Sequence, residues 1–151
     1  KNPLLETSIL YYDTFELIVS ADHPLASQSH ASVHALQNLP FIMLSPDTAG
    51  RRFVDDIFTR LSIVPKNMME LSSSEEVKRM VELNLGAAII SKSSVAKELK
   101  LGTLKNIKVN ELTMSHPVGV VYKSGRYLNS ALQQFLNDLK GMPEDQFTGS
   151  E

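Results

Sequence analysis

Three consecutive serines, Ser72–Ser74, stand immediately ahead of a charged helical pattern in MELSSSEEVKRMVELNLGAAIIS. Hydroxyls at a helix start can do one of two things. One serine can cap the helix by accepting from an orphan backbone amide, which is worth about 1 kcal/mol. The remaining hydroxyls and free amides, at the positive end of the helix, can donate to an anion. Glu75 and Glu76 already complement the helix dipole, and Ser73 with Glu76, like Ser72 with Glu75, has capping-box spacing. The local chemistry alone therefore favours capping.

Two other places offer related chemistry. Arg51 and Arg52 follow a turn-rich loop holding Ser45, Thr48 and Gly50. An arginine there can grip a carboxylate or phosphate in a bidentate fork, or it can be a solvated charge in a first helical turn. Ser91, Ser93 and Ser94 follow a short apolar run in the same way. Ligands of open α/β sheets bind beyond the carboxyl ends of strands. Three strand ends, each followed by hydroxyls, converge on one rim if the strands are parallel. Ser45, Thr48, Arg51, Ser72, Ser73, Ser74 and Ser91 are the candidate set, and the ligand they suit is a small anion such as a carboxylate, phosphate or sulfate.

Other chemistries are absent from the pattern. His23 and His116 precede prolines and read as turn residues, while His30 and His34 straddle the expected helix start at Ser32, so no metal-ligand spacing emerges. Asp55 and Asp56 are adjacent and face different directions on a helix, so they do not form a carboxylate pair. No G-x-S-x-G, P-loop or G-x-G-x-x-G occurs, and nothing suggests catalysis. The chain has no cysteine, which removes disulfides and thiolate chemistry and fits a cytoplasmic location. A net charge of −2 argues against polyanion binding by this segment, so any DNA reading belongs to another one. No apolar run approaches membrane-spanning length. Lys1 in place of an initiator methionine fits a fragment or a processed product.

The elements that must position these residues follow from hydrophobic periodicity. Phe15, Leu17 and Val19 alternate as in a strand, and Ser32 opens a short helix to about Leu39. Pro40–Leu44 reads as a buried strand. Phe53, Val54, Ile57, Phe58 and Leu61 make one helical face that ends before SIVP. Lys66–Leu71 and Ala87–Ile90 are further strands, flanking a helix with Val77, Met80, Val81 and Leu85 on one stripe. Gly86 is expected to supply a left-handed C-terminus to that helix, and Gly102 to close a short helix in SKSSVAKELKLG. TLKNIKVN and HPVGVVYK are strands, Leu128–Leu139 is an amphipathic helix, and the residues after 140 read as a frayed tail. Strands alternating with helices predict an α/β fold with a parallel or mixed sheet covered on both faces.

The order of four segments, FELIVSADHPLAS, LQNLPFIMLSPDTAGRRFVDDIF, SSSEEVKRMVELNLGAAIISKSSVAKELKLGTL and HPVGVVYKSGRYLNSALQQFLNDL, resembles the effector-binding domain of LysR-type transcriptional regulators from about Leu4 to Leu139. DHPLA, VELNLGAAIIS and ELKLGTL carry most of that resemblance, and NLGAAIISKSSVAKELKLGTL is similar to the branch that controls inorganic-carbon assimilation. The resemblance implies a two-lobed, periplasmic-binding-protein-like fold of type 2 with a small effector between the lobes. It implies one complete Rossmann-like lobe at 23–116, with remnants of the other lobe at 1–22 and 117–140 and a disordered tail at 141–151. The family's earlier part of lobe one and its N-terminal winged helix-turn-helix do not appear in this sequence. The exposed remnant of lobe one is expected to pair with another chain or to swap with it. The resemblance also moves the serines toward ligand contact, since members place an effector-touching hydroxyl at the helix start matched by Ser72 and Ser73. The implied effector is 2-oxoglutarate or a phosphorylated metabolite, with no cofactor. The implied assembly is a homodimer or homotetramer that reaches DNA through the missing segment, without membrane contact. A transporter's solute-binding protein is the alternative function.

Overall fold

The computed structural model describes residues 3–112, 114–143 and 146–147. Its strands are β1 (Leu5–Ser20), β2 (Phe41–Leu44), β3 (Met68–Leu71), β4 (Ala88–Ser91), β5 (Leu104–Ile107) and β6 (Ser115–Lys123). Its α-helices are α1 (Val33–Leu36), α2 (Ala49–Arg60), α3 (Ser74–Glu82), α4 (Lys92–Leu101) and α5 (Ser130–Gly141), and a 3-10 turn spans Pro24–Ser27.

β1 serves two sheets. Its first part pairs antiparallel with β6 from Leu5–Lys123 to Thr14–Ser115. Its second part, Phe15–Ser20, runs antiparallel between β4 and β5. β2 and β3 are parallel, and a parallel bridge between Phe41 and Ala87 joins them to the start of β4. The resulting layer has the order β3–β2–β4–β1–β5, with β2, β3 and β4 pointing one way and β1 the other. The expected α/β fold with a mixed sheet is what the chain adopts, and the hydroxyl-bearing ends of β2, β3 and β4 share one rim.

The period of two along a strand divides the core. Phe15, Leu17 and Val19 pack with Phe41, Met43 and the inner face of α2 on one side of the sheet. Ile18, Ile42, Ala88 and Ile90 face the other side, beneath Val77 and Val81 of α3 and Val95 of α4. β1 is therefore buried on both faces over Leu17–Ser20, which is why FELIVS is a nearly continuous apolar run.

Several local expectations hold in detail. Ser32 caps α1, and Gly102 closes α4 in the left-handed conformation at φ 75°. Gly86 does something different from what its position suggests. The left-handed residue after α3 is Asn84, at φ 58°. Gly86 instead lies under the neighbouring strand, where a Cβ would meet the Pro40 carbonyl oxygen at 2.6 Å. His116 is not a turn residue but lies within β6, opposite Asp13 of β1. The α5 stripe is only partly covered: Leu136 is buried, whereas Phe135 is 54% exposed. Of the expected tail, Gly141 still belongs to α5 and the Phe147 ring stacks on Tyr11 at 5.4 Å, while 144–145 and 148–151 lie outside the described residues.

Candidate functional site

A cleft of about 360 Å³ opens where the N-terminal turns of α2, α3 and α4 meet the junction of β1 and β6. Apolar walls come from Phe15, Met43, Val54, Val77 and Ile90, and polar groups from Asp13, Arg51, Ser74, Ser91, Ser93, Ser94 and His116. An apolar enclosure with a few convergent polar groups is the usual form of a small-molecule site.

Ser74, Arg51 and Ser91 of the candidate set line this cleft. Ser73 is the N-cap of α3 and completes a capping box: its hydroxyl accepts from the Glu76 amide at 3.3 Å, and the Glu76 carboxylate accepts from the Ser73 amide at 3.1 Å. The same Glu76 oxygen takes the Ser72 amide at 3.0 Å. Thr48 caps α2 by accepting from the Arg51 amide at 3.1 Å, and Ser45 donates its hydroxyl to the Leu71 carbonyl at 3.1 Å. Ser45, Thr48, Ser72 and Ser73 thus shape the rim through their own backbone bonds. Ser74 and Ser91 face the enclosed space.

Arg51 is held from behind. Its Nε donates to Asp55 at 2.9 Å, and its Nη1 donates to Glu70 at 2.7 Å and to the Leu44 carbonyl at 3.0 Å. Burial pulls its pKa down, but the hydrogen bonds and charges of Asp55 and Glu70 outweigh burial and leave it raised. The guanidinium is a cation fixed in the cleft wall and partly neutralised by two carboxylates, not the free fork its position in the sequence suggests.

Two residues that sequence reasoning did not select complete the site. Asp13 is only 5% exposed and is surrounded by donors. Its Oδ2 accepts from the Ser91 and Ser93 hydroxyls, each at 2.5 Å, and its Oδ1 accepts from the Ser93 amide at 3.3 Å. The signal available was a lone acid inside the otherwise apolar and aromatic YYDTFELIV. His116, its cross-strand partner, packs edge-on against Phe15 at 5.3 Å, and its Nδ1 is buried with no partner among the described residues. Behind the cleft, Lys78 of α3 donates to the Ser94 carbonyl at 3.1 Å, which ties the first turn of α4 to α3. No cluster of metal-ligating side chains occurs among the described residues.

Residues 1–142 match the family model of the LysR substrate binding domain. The chain belongs to this LysR family. It is 30% identical over 136 residues to a probable RuBisCO transcriptional regulator of Phaeodactylum tricornutum, covering 88% of this chain and 44% of that protein. A protein of the same name from Cyanidium caldarium is 30% identical over 142 residues, covering 92% and 45%. The chain therefore spans less than half the length of these curated LysR relatives. Among solved structures it resembles the CcmR regulatory domain of Synechocystis PCC6803 in complex with 2-PG, with a TM-score of 0.83, 24% identity, and coverage of 93% of this chain and 68% of that one. The effector binding domain of QuiR in complex with shikimate superposes with a TM-score of 0.77 at 19% identity, covering 93% and 65%. These likenesses establish the periplasmic-binding-protein-like fold of LysR effector domains.

Proposed function

We propose that this LysR domain senses a small anionic metabolite in the cleft and passes that state to a full-length transcriptional regulator. The cleft itself carries the reading: an apolar pocket of about 360 Å³ onto which the N-terminal turns of α3 and α4 converge with Ser74, Ser91 and Ser94. Helix starts favour negative charge, and Arg51 adds a fixed cation. Ser74 contacts the effector, Ser91 shapes the cleft through its bond to Asp13, and Ser72 and Ser73 hold the rim that admits the effector. 2-Oxoglutarate and phosphorylated acids are the candidate effectors. The family match and the names of the relatives favour a regulator over a transporter's solute-binding protein, and those relatives are regulators rather than enzymes.

The effector would act by favouring one arrangement of the β1–β6 ribbon against the central layer, since a ligand shifts an equilibrium only by its unequal affinity for two states. In the full-length protein, a homodimer or homotetramer in the cytoplasm, that shift would re-space winged helix-turn-helix heads on DNA.

The test is calorimetric titration of the chain with 2-oxoglutarate and with 3-phosphoglycerate, followed through the backbone amide shifts of Ser74, Ser91 and Ser94. Saturable binding with shifts at all three supports the reading. A Ser74→Ala variant should lose affinity far beyond its loss of stability. Equal losses would return Ser74 to a purely structural role, and no binding of either acid would overturn the anion reading.

A further inference from the structure

We infer that the Ser91–Ser93 end of the cleft accepts hydrogen bonds rather than donating them, so the effector carries a hydroxyl at the end away from its anionic group. This rests on the anion-sensing role proposed above and names the ligand class more narrowly. A hydroxyl has one hydrogen and two lone pairs, and a carboxylate can only accept. The Ser91 and Ser93 hydroxyls both direct their hydrogen to Asp13 Oδ2. Ser91 Oγ is then occupied further, accepting from the Ser94 amide at 3.4 Å and standing 3.2 Å from the Ser94 hydroxyl. Ser93 Oγ stands 2.9 Å from Ser91 Oγ, but with both hydrogens on Asp13 neither hydroxyl donates to the other, and Ser93 Oγ keeps a lone pair to offer the cleft beside the Asp13 carboxylate.

The helix start that looks like an anion site in the sequence is thus already filled by an internal carboxylate. A phosphate or carboxylate brought here would meet lone pairs and a buried acid, which is costly without compensating donors. At the α3 start the Glu76 carboxylate takes the Ser72 and Ser73 amides but does not line the cleft, whereas Ser74 and the Arg51 cation do. These groups and the Asp13 end together orient the ligand, with the anion toward Ser74 and Arg51 and the donor toward Ser93. The unpartnered Nδ1 of His116 lies in the same wall as Asp13. A ligand hydroxyl both donates and accepts, so it can pair with that nitrogen in either tautomer, whereas a keto oxygen cannot serve Ser93 Oγ at all.

The deciding comparison is 4-hydroxypentanoate against 4-oxopentanoate, which share a skeleton and a single carboxylate and differ in donor capacity at C4, at the end away from that carboxylate. Titrated into the chain, the hydroxy acid should bind roughly tenfold tighter or better, as one paired against one unpaired buried group demands. The Ser93 and Ser94 amides should shift more with it. In Asp13→Asn, where the amide releases a serine hydrogen toward the cleft, the ratio should fall toward one. Asp13→Ser serves if the amide variant does not fold, and the ranking in the unaltered protein decides by itself. Binding of 4-oxopentanoate as tight as that of 4-hydroxypentanoate overturns the donor-end assignment alone, as does a ratio unchanged in a folded Asp13 variant. If neither of these acids, nor 2-oxoglutarate or 3-phosphoglycerate, shifts the cleft amides, the anion-sensing role falls and the donor-end assignment with it.

Discussion

Lys78 of α3 and Glu98 of α4 form an ion pair at 2.9 Å in which the side chains are 9% and 14% exposed. The same ammonium reaches Glu75 at 2.7 Å and the Ser94 carbonyl at 3.1 Å. One buried cation thus joins the helix that carries Ser74 to the first turn of the helix that carries Ser93 and Ser94.

Removing one member of a buried pair leaves the other charge uncompensated, which costs on the order of 3 kcal/mol or more. Lys78→Met should destabilise the chain by about that amount in urea unfolding, because Glu98 cannot reach solvent freely. Glu98→Leu added to Lys78→Met should recover much of the loss. Arg51→Leu should cost less than Lys78→Met, because the side chains it releases, Asp55 and Glu70, are 49% and 44% exposed and can be solvated.

Gly86→Ala should be destabilising despite the ordinary backbone geometry there. The new methyl would stand 2.6 Å from the Pro40 carbonyl oxygen and 3.1 Å from Ile42 Cγ1, so β2 and the start of β4 must separate. A loss of about 1–3 kcal/mol, typical of overpacking, is expected in thermal or urea unfolding. Asn84→Gly, at the true left-handed position, should be neutral or stabilising by a few tenths of a kcal/mol or more.

Ser73→Ala removes the acceptor for the Glu76 amide and half of the capping box. It should lower stability by about 1 kcal/mol, with the loss visible as faster amide exchange in the first turn of α3. Ser74→Ala leaves that cap intact and lines the cleft, so it should lower ligand affinity with little change in the unfolding midpoint.

Acid dependence should report on Glu82. Its pKa is lowered first by the Thr103 hydroxyl, which donates to it at 2.7 Å, and then by Arg79, against the opposing effect of burial. A carboxyl with a lowered folded pKa contributes stability that is full above its ordinary value of 4.5 and is lost as pH falls through the folded value. Lys78 has the opposite sign: burial pulls its pKa down, but hydrogen bonds to Glu75 and Glu98 leave it raised, so its contribution persists to alkaline pH and fades only above the ordinary 10.5. Unfolding curves between pH 3 and pH 6, about the range over which exposed carboxylates titrate, should be flatter for Glu82→Gln than for the unaltered protein.

Local rules made much of the fold legible. The caps Ser32 and Ser73, the closing Gly102 and the faces of α2 and α3 depend on neighbours within four residues, and the sequence displays those neighbours directly. What could not be read depends on distant partners. Asp13 meets Ser91 and Ser93 across 78 and 80 positions. Nothing near Asp13 announces that its partners are hydroxyls, and nothing near Ser91 announces that an acid occupies its helix end. Arg51 was legible as a cation near a strand end, but its capture by Glu70, 19 positions away, was not. Gly86 misled because the spacing that suits a helix terminus also suits a close crossing of two strands, and only the position of Pro40 distinguishes them.

β1 is one continuous strand, with a register irregularity between Ile9 and Tyr11, whose two parts belong to different sheets, with the change of partners between Thr14 and Phe15. Mechanically this is a shaft set in two bearings. Asp13 and His116 sit one residue from the change of partners, on the two strands of the ribbon, and both reach into the cleft. Whatever fills the cleft therefore touches the shaft beside the place where one bearing gives way to the other.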